Sequence, residues 1–226
     1  MGEKLLPNEV IAKRVAQELS EGMLVNLGIG LPTQVTRYLP KDMVVFLQSE
    51  NGLIGLGARP PEGMEDEDLT DAGGAPVTAI PGATRIDSVL SFGLIRGGHL
   101  DMTVLGGLQV DSCGRLANWM IPGKMAPGMG GAMDLVSGAK KVVVAMQHLA
   151  KGAPKILEHC TLPLTSTRPV SLIVTDFAVI EPTDRGLLLR ELAPGVLLEE
   201  VIAATEAKLI ISNDLKEMNF EDKNYG

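Results

Sequence analysis

The chain has 226 residues, a formal net charge of -8 and a pI of about 4.9. Nucleic-acid binding needs a basic surface and usually stacking aromatic side chains, so an acidic chain with 3% aromatic residues argues against nucleic acid as a partner. No uncharged run reaches the roughly 18 apolar residues of a membrane span, and the N-terminus lacks the basic and apolar segments of a signal peptide. Cys113 and Cys160 lie far apart, which favours reduced thiols in a cytoplasmic protein.

The first fifty residues alternate helix and strand patterns. Asn8 is a candidate N-cap for an amphipathic helix over residues 9–20. A strand over Met23–Leu27 then enters the turn Gly28-Ile29-Gly30, and a short helix follows over Thr33–Tyr38. A second apolar run, Met43–Leu47, predicts a buried strand that ends at Gln48-Ser49-Glu50-Asn51-Gly52.

Residues 62–71 hold six acids and no base, which predicts an exposed acidic loop. Beyond it, strands and helices alternate and then strands crowd together. The strand and helix patterns lie at Val77–Ile80, Asp87–Ile95, Met102–Leu105, Ala132–Ser137, Lys141–Met146, Leu172–Thr175, Ala178–Ile180, Leu187–Leu192, Leu197–Ala207 and Leu209–Ser212. This order predicts a single α/β domain over residues 1–226, with an open, mostly parallel sheet, helices on both faces and an antiparallel edge.

Glu50 is the first candidate for chemistry. It follows a buried strand and precedes Asn51-Gly52, a dipeptide that favours a tight turn. Ligands of open α/β sheets bind beyond the carboxyl ends of strands, so a carboxylate at that point can face a crevice. From turn chemistry alone, Glu50 is either a solvated acid beside a turn or a presented functional group.

Glycine-rich segments narrow the possible cofactors. Asn26–Pro32 follows a strand, but Thr33 stands where a dinucleotide fingerprint needs its third glycine. Gly123-Lys124 is not a phosphate-binding loop, since Asn118 occupies the position of the first glycine. Gly128-Met129-Gly130-Gly131 precedes a predicted helix, and its backbone amides could bind an anion or simply form a compact turn.

Other site types have weak support. The three histidines, His99, His148 and His159, are scattered, so no metal ligand set is predicted. No serine lies in a G-x-S-x-G motif, which argues against a serine hydrolase. Methionines number eleven and are expected to fill the core.

Several segments, in order, resemble one family. Leu47–Gly55 (LQSENGLIG) resembles the active-site signature of the family I CoA-transferases, the acetate/butyrate–acetoacetate and succinyl-CoA:3-oxoacid enzymes. The segments NLGIGLP, IRGGH, ANWMIPGK and PGMGGAMD also resemble segments of that family, and the likeness covers roughly residues 8–215. It is strongest for the β chain of these enzymes, which implies a CoA-transferase/ribose-5-phosphate-isomerase-like fold.

The resemblance implies a role for each site residue. Glu50 would be the nucleophile, forming an acyl-glutamyl anhydride and then a glutamyl-CoA thioester. The amide of Gly131, beside Gly130, would donate to the thioester oxyanion, and Asn26 would hydrogen-bond near the reacting carboxylate. Asn51 would help to shape the turn that presents Glu50. Further substrate contacts would come from the turn at Gly28 and Gly30.

The resemblance also implies the reaction partners. Coenzyme A enters as a thioester substrate, with no cofactor and no metal, and an α subunit completes the site in an α2β2 heterotetramer or a similar heteromer. Acetoacetate with butyrate or acetate is the expected substrate pair, and a succinyl-CoA:3-oxoacid enzyme is the alternative. A different class, a non-catalytic effector-binding or sugar-phosphate isomerase domain of similar fold, would not need Glu50.

Overall fold

The computed structural model describes residues 5–123 and 129–220 of the chain. Its strands are β1 (Leu24–Leu27), β2 (Phe46–Ser49), β3 (Leu53–Leu56), β4 (Ala79–Arg85), β5 (Met102–Gly106), β6 (Gln109–Asp111), β7 (Leu116–Ala117), β8 (Lys141–Ala145), β9 (Leu149–Ala150), β10 (Ala153–Pro154), β11 (Ile156–Leu157), β12 (Leu172–Val174), β13 (Ala178–Thr183), β14 (Gly186–Leu192) and β15 (Leu209–Glu217). Its helices are α1 (Pro7–Ala16), a 3-10 helix (Leu31–Tyr38), α2 (Ser88–Arg96), α3 (Ala132–Gly138) and α4 (Leu198–Ala203).

Ten of these strands form one sheet in the order β15-β14-β13-β12-β8-β5-β1-β2-β3-β4. The five central strands, from β12 to β2, are parallel to their neighbours. On one side β3 and β4 continue antiparallel, and on the other β13 and β14 do the same before β15 adds a parallel edge. The predicted parallel sheet with an antiparallel edge is confirmed, and the structure places antiparallel strands on both sides.

The core consists of two apolar layers, one on each face of the sheet. Within β8, Val142 and Val144 pack in the layer that contains residues of α2, α3 and α4. Val143 and Ala145, which point the other way, pack in the layer that contains α1. Because both faces of the parallel strands are covered, the sequence of β8 is a continuous apolar run, and the predicted helices on both faces are confirmed.

The start of the first helix differs from the prediction. Helix α1 begins at Pro7 with Leu6 as its N-cap, so Asn8 lies inside the first turn and the prediction of Asn8 as the cap is wrong. Pro7 has the φ that a helix start requires and no N–H to satisfy, and the Glu9 carboxylate accepts the Leu6 backbone N–H at 2.8 Å. Those two residues set the start without a side-chain cap from Asn8.

Other boundaries shift by a few residues. The helix predicted over residues 9–20 ends at Ala16, and the second strand lies at Phe46–Ser49 rather than Met43–Leu47. The short strands of the two smaller sheets, β9 with β10 and β6 with β7 and β11, were not predicted. Pieces of two or three residues carry too little periodicity for a sequence pattern to reveal them.

Candidate active site

Glu50 and Asn26 meet at the carboxyl ends of two neighbouring parallel strands. Asn26 pairs in register with Gln48, and Glu50 lies two residues further along, just past the end of β2. The Asn26 side-chain amide donates to Oε2 of Glu50 at 3.0 Å. Asn26 is buried and Glu50 is half-buried, so the carboxylate stands at the boundary between the sheet and the surface. This edge is where open α/β sheets bind their ligands.

The turn after Glu50 depends on glycine. Gly52 has a φ of 120°, and a Cβ there would lie 2.0 Å from the carbonyl oxygen of Ile86. Its N–H donates to the Ser49 carbonyl at 3.0 Å, which closes the turn around Glu50. A side chain at this position would both strain the backbone and displace Ile86.

Asn51 is oriented away from the carboxylate. Its side-chain amide donates to the carbonyl oxygen of Thr70 at 2.8 Å, at the end of the acidic segment 62–71. Asn51 is exposed, and most of the acidic segment is exposed too, as predicted. Asn51 therefore joins the turn that carries Glu50 to the segment that follows β3.

Gly131 lies directly against Glu50. A Cβ on Gly131 would come within 3.2 Å of Cγ and 3.3 Å of Oε1 of Glu50, although the two residues are 81 positions apart (131 minus 50). Gly131 is the N-cap of α3, and Gly130 before it has a φ of 51° with no atom within 4 Å of an added Cβ. Gly128, the first glycine of the predicted anion-binding segment, lies outside the described residues.

Gly28 and Gly30 shape a neighbouring turn. The Gly28 N–H donates to the carbonyl oxygen of Val104 at 2.8 Å, and an added Cβ would be 3.1 Å from that oxygen. Gly30 has a φ of 86° and precedes the 3-10 helix. Glu50 is not among the nearest atoms that an added Cβ on either glycine would meet, and Ile29 between them is 73% exposed. The structure thus brings Asn26, Glu50 and Gly131 together, and Gly28 and Gly30 shape the turn that follows the strand of Asn26.

Three polar residues that the sequence reasoning did not select also belong to this site. Gln48 Oε1 accepts a hydrogen bond from the Asn26 amide at 3.0 Å, and Gln48 Nε2 donates to Ser91 Oγ at 2.9 Å. Thr103 Oγ1 approaches Asn26 Oδ1 at 3.4 Å. For Thr103 the available signal was a polar residue inside the apolar buried strand MTVLG, whereas Gln48 lies near the end of a strand whose Phe46 is exposed and Ser91 lies on a helix.

The remaining histidine and cysteine candidates do not form a second centre. Burial lowers the pKa of His148 to about 4, and its ring lies between the hydroxyls of Thr175 and Thr205. Burial raises the pKa of the Cys160 thiol to about 12, so the reactive thiolate is disfavoured. Among residues 5–123 and 129–220, no group of three or more His, Cys, Asp or Glu residues could hold a metal ion.

In the same part of the chain, no helix is long and apolar enough to cross a membrane.

The fold and the geometry around Glu50 define an α/β chain that presents a carboxylate beyond the ends of parallel strands. A family model described as coenzyme A transferase matches residues 8–204. The β chain of acetate CoA-transferase from Haemophilus influenzae is 55% identical over 216 residues, which are 95% of this chain and 96% of that protein. One chain of the succinyl-CoA:3-ketoacid coenzyme A transferase of Helicobacter pylori is 53% identical over 201 residues, 88% of this chain and 97% of that protein.

The crystal structure of an acyl-CoA transferase apoenzyme from Escherichia coli O157:H7 has the same fold, with a TM-score of 0.78 and 24% identity. It covers 100% of this chain, which spans 46% of that longer protein. The chain belongs to the coenzyme A transferase family, and the resemblance drawn from the sequence is confirmed. It is an enzyme chain of the CoA-transferase class.

Proposed function

We propose that the chain transfers CoA between an acyl-CoA and a short-chain carboxylic acid, acetoacetate with butyrate or acetate, with Glu50 as the covalent carrier. The observation that supports this most directly is the position of the Glu50 carboxylate. It is held by the Asn26 amide at 3.0 Å, and a glycine rather than a side chain lies against it. A carboxylate in that setting can be approached by a thioester carbonyl from the side of Gly131.

The first half-reaction forms two enzyme-bound species in turn. The Glu50 carboxylate attacks the thioester carbonyl, a C–O bond forms, the C–S bond breaks, and CoA leaves as the thiolate. That thiolate then attacks the glutamyl carbonyl of the anhydride, which expels the first acid as its carboxylate and leaves CoA bound to Glu50. The carboxylate of a second acid reverses both steps and leaves as the new acyl-CoA.

The neighbours of Glu50 suit these steps. The Asn26 amide can stabilise the carboxylate oxygen before attack, and the Gly131 amide is proposed to donate to the oxyanion that develops on the thioester. One thioester is exchanged for another, so the reaction has no need of ATP hydrolysis or of a metal to drive it. The proposal therefore keeps the prediction of no cofactor.

An α subunit is proposed as the partner that completes the site. Both relatives above are named as single subunits of their enzymes, and the one from Haemophilus influenzae is named as a β chain. Two apolar side chains are strongly exposed on elements that contribute to the site: Ile29, in the turn after β1, is 73% exposed, and Val89, at the start of α2, is 82% exposed. Exposed apolar side chains of this kind suit a surface that a second chain covers. We propose a cytoplasmic α2β2 heterotetramer or a similar heteromer.

The substrate pair is the finer part of the proposal. Relatives named for acetate and for succinyl-CoA with 3-ketoacids are 55% and 53% identical to this chain, so overall identity does not separate the two. Acetoacetate with acetate or butyrate is proposed first, with succinyl-CoA:3-oxoacid transfer as the alternative. A ranking of kcat/KM for acetate, butyrate and succinate as CoA acceptors discriminates them.

The covalent mechanism is tested by intact-mass measurement of the enzyme assembled with its partner. After incubation with acetoacetyl-CoA, the wild-type chain is expected to gain the mass of CoA, and Glu50→Gln is expected to gain none. The variant keeps the shape of the side chain but replaces the nucleophilic oxygen with an amide. An unmodified wild-type chain together with full transferase activity in Glu50→Gln would refute the role of Glu50.

A further inference from the structure

A row of buried polar side chains crosses three strands beneath Glu50. Asn26 of β1 is in register with Gln48 of β2 on one side and with Thr103 of β5 on the other, so all three side chains project from the same face. Their exposed fractions are 1%, 3% and 0%. Polar groups this deep in a sheet are destabilising unless every one of them finds a partner.

The groups around Asn26 leave its amide one orientation. The Gln48 backbone carbonyl and the Glu50 carboxylate are acceptors only, and they lie 3.1 and 3.0 Å from Asn26 Nδ2. The amide nitrogen must therefore face them, and the Asn26 oxygen is left for the hydroxyl of Thr103, at 3.4 Å. One hydrogen of the amide serves Glu50, and the other is shared between two oxygens of Gln48, Oε1 lying 3.0 Å away.

Gln48 is held from its far end by helix α2. Its Nε2 donates to Ser91 Oγ at 2.9 Å, and Ser91 is fully buried. With Nε2 directed at Ser91, the Gln48 oxygen has to face Asn26 and accept from it. The hydrogen bonds thus run from Ser91 through Gln48 and Asn26 to the carboxylate of Glu50.

We propose that Gln48 is a positioning residue, which acts through Asn26 to aim the Glu50 carboxylate, and that Ser91 holds Gln48 in place. This inference rests on the proposed function, in which Glu50 is the nucleophile. Gln48 touches no reacting atom. Its side-chain oxygen tightens the hold on the Asn26 amide, since without it only the backbone carbonyl of residue 48 accepts the second amide hydrogen and the amide is freer to rotate away from Glu50.

The test begins with Gln48→Met in the enzyme assembled with its partner. Methionine matches glutamine in chain length but ends in a single methyl group, so it offers Asn26 no oxygen and Ser91 no N–H at this place. We expect kcat to fall by about 10- to 100-fold, the range for a displaced reactive group, while KM changes by less than about threefold. Ser91→Ala removes only the far anchor and is expected to lower kcat by a smaller factor in the same direction.

A double-mutant cycle separates positioning from a merely structural role. If Gln48 acts through Asn26, Gln48→Met is expected to have no further effect on kcat in an Asn26→Ala background. A general loss of folded enzyme would instead multiply the two effects. Thr205→Val is the matched control: it removes a buried hydroxyl that bonds His148 and is expected to lower Tm without changing kcat.

The outcomes distinguish this inference from the proposed function. The inference is supported by three results together: a CoA adduct on Glu50 of the wild type, a lower kcat in Gln48→Met and in Ser91→Ala, and a double-mutant cycle in which the effects are not additive. Adduct formation with wild-type kcat in both variants, or fully multiplicative effects in the cycle, overturns the positioning role and leaves Glu50 as the nucleophile. Should Gln48→Met fail to fold, Ser91→Ala decides alone, since unchanged kcat there overturns the anchoring by α2. An unmodified wild-type chain overturns the proposed function and the inference with it.

Discussion

Acid should destabilise the folded chain by protonating His148, a residue that takes no part in the proposed reaction at Glu50. The ring is fully buried, stacks on Phe177 at a centroid distance of 5.1 Å, and lies 2.9 Å from both Thr175 Oγ1 and Thr205 Oγ1. The Thr205 hydroxyl donates to the Val201 carbonyl, so it can only accept from the imidazole Nε2–H. In the neutral ring with its proton on Nε2, the Thr175 hydroxyl donates to Nδ1 in place of the Ala178 carbonyl, which lies 3.1 Å away.

The size of the effect follows from the two pKa values of His148. Burial lowers the pKa in the folded chain to about 4, against about 6.5 in the unfolded chain. Between these values the unfolded chain binds more protons, so the free energy of unfolding falls as the pH drops from about 6.5 towards 4. The difference of about 2.5 in pKa, at about 1.36 kcal/mol for each unit, amounts to about 3 kcal/mol at most.

The assay is urea unfolding of the wild type and of His148→Gln at pH 7 and pH 4.5. Glutamine cannot titrate, so the variant should lose less stability on acidification. From the same pKa values, the wild type should lose about 2 kcal/mol more than the variant between the two pH values. If the free energies of unfolding of the two proteins fall in parallel, burial does not lower the pKa of His148 and the reasoning is wrong.

Two further predictions follow from contacts in the fold. Gly131→Ala places a methyl group 3.2–3.4 Å from Glu50, where the thioester must approach, and is expected to lower kcat/KM by about 100-fold, or ~2.7 kcal/mol, with Tm nearly unchanged. Gly93→Ala, which meets open space on α2, is the control, and equal kcat/KM in the two variants would contradict the role of Gly131. Arg14→Met removes the guanidinium that bonds the buried Glu191 at 2.6 Å, so the free energy of unfolding should fall by about 3 kcal/mol. A urea midpoint unchanged from the wild type would show that Glu191 finds other compensation.

Much of the sheet could be predicted because its strands are apolar runs of ordinary length. Lys141–Ala145 lies in the middle of the sheet with both faces covered, and its sequence KVVVA indicates this directly. The predicted ends of the helices agree less well with the structure. Leu6 caps α1 through its backbone and with the help of Glu9, and no rule based on capping side chains finds such a start.

Part of the candidate site could also be predicted, because one of its residues lies in a short local pattern. Glu50 was found because the end of a strand, an Asn-Gly turn and a family signature all coincide within nine residues. Gln48 lies inside that same signature and was not selected, since a lone glutamine at a strand end has no pattern of its own. Its significance depends on Ser91, which is 43 positions away and reaches it only through the packing of α2 on the sheet.

The sequence by itself determined the class of fold and the family and singled out the residue that we propose as the nucleophile, because apolar periodicity and short motifs are local properties of the chain. The tertiary structure alone decided what surrounds that residue. Asn26 and Gly131 come to Glu50 from 24 and 81 positions away, through the register of β1 with β2 and the placement of α3 at the same edge of the sheet. Register and helix packing arise from the whole core at once, and no single segment of sequence contains them.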